Sequence, residues 1–165
     1  MQHKAKLRTY RQLKTELRFE ECLMTRDREA REVMTRLRGG TNELRIETGR
    51  YPVTNRDRPL DVSERRCLIC MNGEIEDETH FMLDCDEYED LRQRMLDVVS
   101  RTLSRQLQPI EIKKREKDGG REKIMAALGE LFTSEPDLRA AALHFCKRAM
   151  KRRNKIVREV LDQKT

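Results

Sequence analysis

Cys67, Cys70, His80 and Cys85 are the residues of this chain whose types and spacing point most directly to chemistry. Two residues separate the first two cysteines, nine lie between Cys70 and His80, and four between His80 and Cys85. Thiolates and neutral imidazoles are what zinc takes in a tetrahedral structural site, whereas a catalytic zinc keeps one position open for water. Four protein ligands close the tetrahedron, so the pattern predicts one structural Zn2+ and no catalysis at the metal. A two-residue gap lets a tight turn aim both sulfurs at one point, and Met71-Asn72-Gly73 supplies the reversal. Scattered core cysteines and a surface histidine would not fall into this register together. Three of the five cysteines and one of the three histidines take part.

The ligands need elements to aim them. The stretch from Glu74 to Leu83 is expected to form a short helix presenting His80. Five residues turn an α-helix about 140° past a full turn, so one unbroken helix cannot point both His80 and Cys85 at one ion. A break is therefore predicted between them, and Asp84 and Asp86 suit it as caps for a helix running on through Tyr88 and Leu91. Three thiolates and an imidazole leave a zinc centre with one net negative charge. Arg65 and Arg66, just before Cys67, are placed to offset it.

Around this centre the chain reads as helices. Residues 4 to 38 carry apolar side chains at spacings of three and four, as one long helix or two in series. Thr25 and Asp27 mark a second start, and Gly39-Gly40 an end, glycine tolerating the left-handed cap. Leu44 and Ile46 alternate with polar residues and suggest a short extended piece; Gly49, Pro52, Asn55 and Pro59 then mark turns. Tyr88, Leu91, Met95 and Val98 or Val99 form the stripe of a helix ending near Leu103. Pro109 to Gly120 reads as a charged linker, followed by a helix with Ile124, Leu128, Leu131 and Phe132. Ser134-Glu135-Pro136-Asp137 starts a last helix with Leu138, Ala142, Phe145, Ala149, Ile156 and Val160 on one side.

The expected fold is mostly α, a small helical domain organised around a CCHC zinc knuckle with little strand. Its parts are residues 1–40, a helix or helix pair; 41–104, the loop-rich segment, knuckle and following helix; 105–120, a charged linker; and 121–165, the C-terminal helices. The spacing leaves open whether those last helices sit on the knuckle or swing on Gly119-Gly120.

Composition bounds the function. Of 165 residues, 36% are hydrophobic and 40% charged, which fits amphipathic helices with thin apolar stripes rather than a deep sheet core. No apolar run of about 18 residues occurs, so no membrane is expected as a partner. Nor does the N-terminus carry the apolar stretch of a secretory signal. Cysteines in such a chain are expected to be reduced or metal-bound, and the localisation to be intracellular, nucleus or cytoplasm. Cys22 and Cys146 read as ordinary buried side chains.

The net charge is +6 and the cations cluster. Lys147, Arg148, Lys151, Arg152, Arg153, Lys155 and Arg158 fall in one predicted helix, with no acidic residue between Phe145 and Arg158. Lys147, Lys151, Lys155 and Arg158 share a face that Arg148 and Arg152 widen, a pattern suited to phosphates and to salt-sensitive binding. A solvated helix face or a nuclear-import signal has the same composition. With three Tyr, four Phe and no Trp, base stacking on single strands is poorly supported. Cations on the N-terminal helix alternate with acids and read as a salt-bridged surface. Glu111-Ile112-Lys113 has the spacing of a metal-dependent nuclease motif, but no aspartate on a preceding strand hairpin accompanies it. No Ser/His/Asp triad or phosphate-cradling glycine loop appears, His3 and His144 are isolated, and no small-molecule substrate is expected.

The segment Leu37-Arg38-Gly39-Gly40-Thr41-Asn42-Glu43-Leu44-Arg45-Ile46-Glu47-Thr48-Gly49-Arg50-Tyr51 resembles the stretch preceding the zinc knuckle in the C-terminal tail of non-LTR retrotransposon reverse transcriptases. The resemblance continues through Arg65-Arg66-Cys67-Leu68-Ile69-Cys70, the acidic run Glu74 to Glu78, His80-Phe81-Met82-Leu83-Asp84-Cys85, Tyr88 and Leu91-Arg92. It covers roughly residues 30 to 97. Asp86 stands where that family commonly has proline, and either residue can begin a helix. The helix around Phe145 to Ala149 more weakly resembles the basic helix closing such polyproteins. The adjacent aspartates that hold polymerase metals are missing, so the resemblance is to a non-catalytic tail. It implies a zinc-stabilised module that helps position RNA or DNA, with Arg65, Arg66, Lys147, Arg148, Lys151, Arg152, Lys155 and Arg158 as candidate phosphate contacts. The alternatives are a protein-interaction module with a structural zinc, or a decayed element fragment without activity.

Overall fold

The computed structural model describes residues 21–52, 58–106 and 136–162. Helix α1 spans Arg28–Gly39, α2 is a single turn at Arg45–Thr48, α3 spans Glu89–Gln106 and α4 spans Pro136–Asp162. No strand forms among the described residues; one isolated antiparallel bridge joins Arg66 and Ile75. The mostly helical expectation holds.

Helix α1 begins where an acid can cap it. The Asp27 carboxylate accepts from the Ala30 N–H at 3.1 Å, so Asp27 is the cap, and Thr25 lies outside the helix. A 3-10 turn, Glu21–Met24, precedes it. Helix α1 ends at Gly40, whose φ of 62° is the left-handed cap conformation the glycine pair predicts.

The extended piece expected at Leu44 and Ile46 is instead the helical turn α2. Leu44 is extended only as the residue before that turn, with its N–H on Asn42 Oδ1 at 3.0 Å. Short-range alternation could not separate one helical turn from a strand, because Leu44, Ile46 and Glu47 are all buried. The residue Gly49 closes the turn at a place where a Cβ would lie 2.8 Å from both the Arg45 carbonyl and the Arg65 side chain.

Helix α4 organises the core and packs against both α1 and α3. Its buried stripe is Leu138, Ala142, Phe145, Cys146, Ala149 and Met150, spaced by threes and fours so that one face meets both neighbours. Against it lie Ala30, Met34 and Leu37 of α1 and Leu91 and Met95 of α3. Phe81, next to His80, joins them, its ring 5.2 Å from Tyr88 and 5.8 Å from Phe145 between centroids. Of the two arrangements the sequence left open, the last helix takes the docked one. The helix expected around Ile124, the Pro109–Gly120 linker and the Glu111/Lys113 pair lie outside the described residues, as do residues 4 to 20 of the N-terminal helix. No helix among the described residues is long and apolar enough to cross a membrane.

Candidate metal centre

The two halves of the centre come from a hairpin and a wide turn. Backbone bonds from Cys67 N to Glu74 O at 2.8 Å and from Glu76 N to Arg65 O at 2.9 Å close the hairpin. Its tip reverses through Met71, at φ 58°, and Gly73, at φ 81°. Cys67 and Cys70 leave this tip on the same side because successive N–H groups fold back on sulfur: those of Ile69 and Cys70 on Cys67, and that of Asn72 on Cys70.

His80 and Cys85 come together through a wider turn than the spacing predicts. Instead of an α-helix from Glu74 broken near Asp84, residues 74–77 are non-helical and His80–Asp84 form a π turn. The Cys85 N–H bonds the His80 carbonyl at 2.8 Å, an i→i+5 step. The wider turn advances less per residue and so reduces the angular mismatch of an α-helix. The Asp77 carboxylate accepts from the His80 N–H at 2.8 Å and starts this turn. The break falls at Cys85, which is extended, and a 3-10 turn, Asp86–Tyr88, leads into α3. Neither Asp84 nor Asp86 is its cap residue; that place is Cys85, with the Glu87 N–H on its sulfur.

The result is a compact ligand set. One donor atom from each of Cys67, Cys70, His80 and Cys85 lies within 4.8 Å of every other, and Cys70 Sγ is 3.4 Å from His80 Nε2. A tetrahedron with Zn–S of about 2.3 Å has edges of about 3.7 Å, so three sulfurs and one nitrogen at these separations fit one ion. Hydrogen bonds from Cys85 and His80 hold the Cys67 thiol down to about 3, even against burial. Desolvation pushes the Cys70 thiol up, and its neighbour Cys67 together with burial pushes Cys85 up. A divalent cation is what would let all three sulfurs ionise together. Burial lowers the His80 pKa, but the Cys67 thiolate and the carboxylates of Asp84 and Glu74 outweigh it and leave it raised.

Arg65 and Arg66 do different work from the charge offset the sequence suggested. The Arg65 guanidinium donates to the Leu60 carbonyl at 3.0 and 2.8 Å and to the Ile46 carbonyl at 2.9 Å, clamping the loop before the hairpin to α2. The exposed Arg66 side chain donates to the Ser63 carbonyl at 3.2 Å. The cation that reaches the metal turn is Arg92 of α3, named above only within the resemblance. It is buried, donates to the Met82 carbonyl at 3.0 Å and to the Cys85 carbonyl, and pairs with Glu89 at 2.6 Å.

The acidic run beside the ligands is structural. Residues 74–78 place Glu76 and Glu78 inside and Glu74 outside. Glu78 accepts from Asn42 Nδ2 at 2.9 Å, tying the run to the Asn42–Thr48 segment. Glu76 pairs with Arg153 of α4, both side chains being 5% exposed or less. Arg153 continues the spacing of the α4 apolar stripe, and that register is the signal in the sequence that marks it as inward-facing.

The candidate phosphate contacts divide. Lys147 bonds Asp27 at 2.9 Å and Glu29 at 3.0 Å, and Arg152 holds Asp90 at 2.6 and 2.8 Å. Arg148, Lys151 and Arg158 are exposed with no carboxylate partner among the described residues. Lys155 reaches Glu159 only at 3.8 Å. These four border a groove of about 990 Å³ beside α1, floored by Val33, Leu91 and Met150. Of the remaining side chains singled out in the sequence, Cys22 and Cys146 are buried, burial pushing Cys146 up to about 12, and His144 is exposed.

Compared with protein-family models, with curated proteins and with solved structures, the chain has no significant match.

Proposed function

We propose that the chain is a non-catalytic nucleic-acid-binding module in which one structural Zn2+, held by Cys67, Cys70, His80 and Cys85, braces a loop against a basic helix. The reading follows the resemblance to the tail of non-LTR retrotransposon reverse transcriptases. The observation that carries it is the set of four cations on one side of α4, Arg148, Lys151, Lys155 and Arg158, that the protein leaves in water while it pairs or buries their neighbours. Their positions rise along the helix by about 15 Å in total, at about 1.5 Å per residue, a span that covers two or three successive phosphates. Zinc follows from the donor set, three thiolates with one imidazole, which favours zinc over calcium or magnesium.

Fluorescence anisotropy with labelled duplex and single-stranded oligonucleotides, read over a range of salt, tests this. The logarithm of the affinity is expected to fall linearly with log salt, and Arg148→Gln/Lys151→Gln/Arg158→Gln to flatten that slope by about 2–3. Binding that the triple variant leaves unchanged would overturn the assignment to α4. A second reading, docking of another protein, draws on the apolar floor of the groove, Val33, Leu91 and Met150. An absence of salt-dependent nucleic-acid binding would favour it.

A further inference from the structure

Glu76 is no ligand, yet it sits within the metal loop, between the Cys67/Cys70 turn and the His80/Cys85 turn. Its Oε1 accepts from Arg153 Nε at 2.7 Å, and its Oε2 from Arg153 Nη2 at 2.9 Å and from Arg45 N at 2.8 Å. Its backbone is engaged as well, with N–H on the Arg65 carbonyl at 2.9 Å and its own carbonyl on Ile46 N–H at 3.0 Å. One residue thus joins the hairpin, α2 and α4.

We infer that Arg153 is a positioning residue of the metal centre: acting through Glu76, it couples the seating of α4 to the closing of the four-ligand loop. The inference rests on the metal reading of Cys67, Cys70, His80 and Cys85. The loop has little structure of its own, only one bridge and a π turn, so the separation of its two ligand pairs depends on what holds the chain between them. Glu76 is in that intervening chain. A buried guanidinium and carboxylate are stable only as a pair, since displacing either leaves the other charged and desolvated. The α4 apolar stripe fixes Arg153, and Arg153 fixes Glu76 at the level where the ligands converge. In the other direction, an ion that closes the loop presents Glu76 to Arg153. Linkage makes the two effects equal: whatever the pair adds to metal affinity, the metal adds to the docking of α4.

The discriminating experiment is Zn2+ affinity on the full chain by competition with a chromophoric chelator. The variants are Arg153→Met, Arg153→Lys and, as a control, Arg152→Met, which breaks an exposed pair with Asp90. Arg153→Met is expected to weaken Zn2+ binding about 10–100-fold, Arg153→Lys less, and Arg152→Met to stay near wild type. A purely structural role would lower Tm equally with and without Zn2+; a positioning role shrinks the rise in Tm that Zn2+ produces. Undiminished affinity and an undiminished rise in Arg153→Met would overturn the coupling. Should that variant not fold, hydrogen exchange on wild type decides the matter. Coupling requires amides near Arg153 to exchange faster once Zn2+ is chelated, and equal protection overturns it. A folded wild type that takes up no Zn2+ overturns the metal reading, and this inference with it.

Discussion

The metal loop buries Glu76 and Glu78, and Arg92 is buried against it from α3; each answers a specific partner, Arg153, Asn42 and the Cys85 and Met82 carbonyls respectively. On α4, Arg148, Lys151 and Arg158 stand in water. The two regions have similar charge density and use it differently. Burying a charge is tolerated only where a partner of fixed geometry waits, and the loop, poor in regular hydrogen bonding, is where such partners supply the missing order. A helix satisfies its own backbone and leaves its outer side chains available for a ligand. Loop charges therefore hold the fold, and helix charges that remain in water are the ones open to a partner.

The largest effect that would break this comparison is at the metal. Removing Zn2+ with a chelator, or substituting His80→Ala or Cys85→Ser, is expected to abolish the one-zinc stoichiometry in elemental analysis and to lose helical signal in circular dichroism. A well-folded chain without zinc would show that the buried charges alone organise the loop. Next comes Asn42→Ala, which removes both the acceptor for Leu44 N–H and the donor to Glu78. It is expected to cost about 1–3 kcal/mol in denaturant unfolding, because the buried Leu44 N–H is left unsatisfied and Glu78 loses a donor. On the helical side, the triple variant of Arg148, Lys151 and Arg158 should change stability by no more than about 0.5 kcal/mol per site, while weakening polyanion binding. A large loss of stability there would mean that those cations hold the fold after all.

The smallest effect concerns acid. Arg152 holds the Asp90 carboxyl down to about 2. A depressed carboxylate contributes stability that is complete above its unfolded value of about 4 and is lost as pH falls through about 2. Wild type should therefore lose slightly more stability than Asp90→Asn between about pH 5 and pH 2. Parallel curves would show that this exposed pair tethers nothing. Acid also releases metal from thiolates, so only the difference between the two proteins reports on Asp90.

Much of this was legible in the residues themselves. Ligand identity and spacing are local and discrete, so Cys67, Cys70, His80 and Cys85 could be read as one set, and the structure brings their donor atoms together. The Gly40 cap and the course of α3 also follow from local preferences that tertiary contacts did not oppose. The single turn at Arg45–Thr48 was not legible, because four residues carry too little periodicity to distinguish helix from strand. The π turn was hidden for a related reason: no side-chain pattern announces an i→i+5 step, and here the demand that His80 and Cys85 converge accompanies it.

The sequence by itself determined the donor set, the helical character and the net positive charge, since these depend on residue type and on spacing along the chain. Only the tertiary structure decided which charges are spent. Arg153 and its neighbour Arg152 are the same residue one position apart, yet one points to a buried glutamate from the metal loop and the other to an exposed aspartate on α3. That choice belongs to the rotation of α4 about its axis, which is set by its apolar stripe packing on α1 and α3. It depends on groups from distant parts of the chain meeting in space.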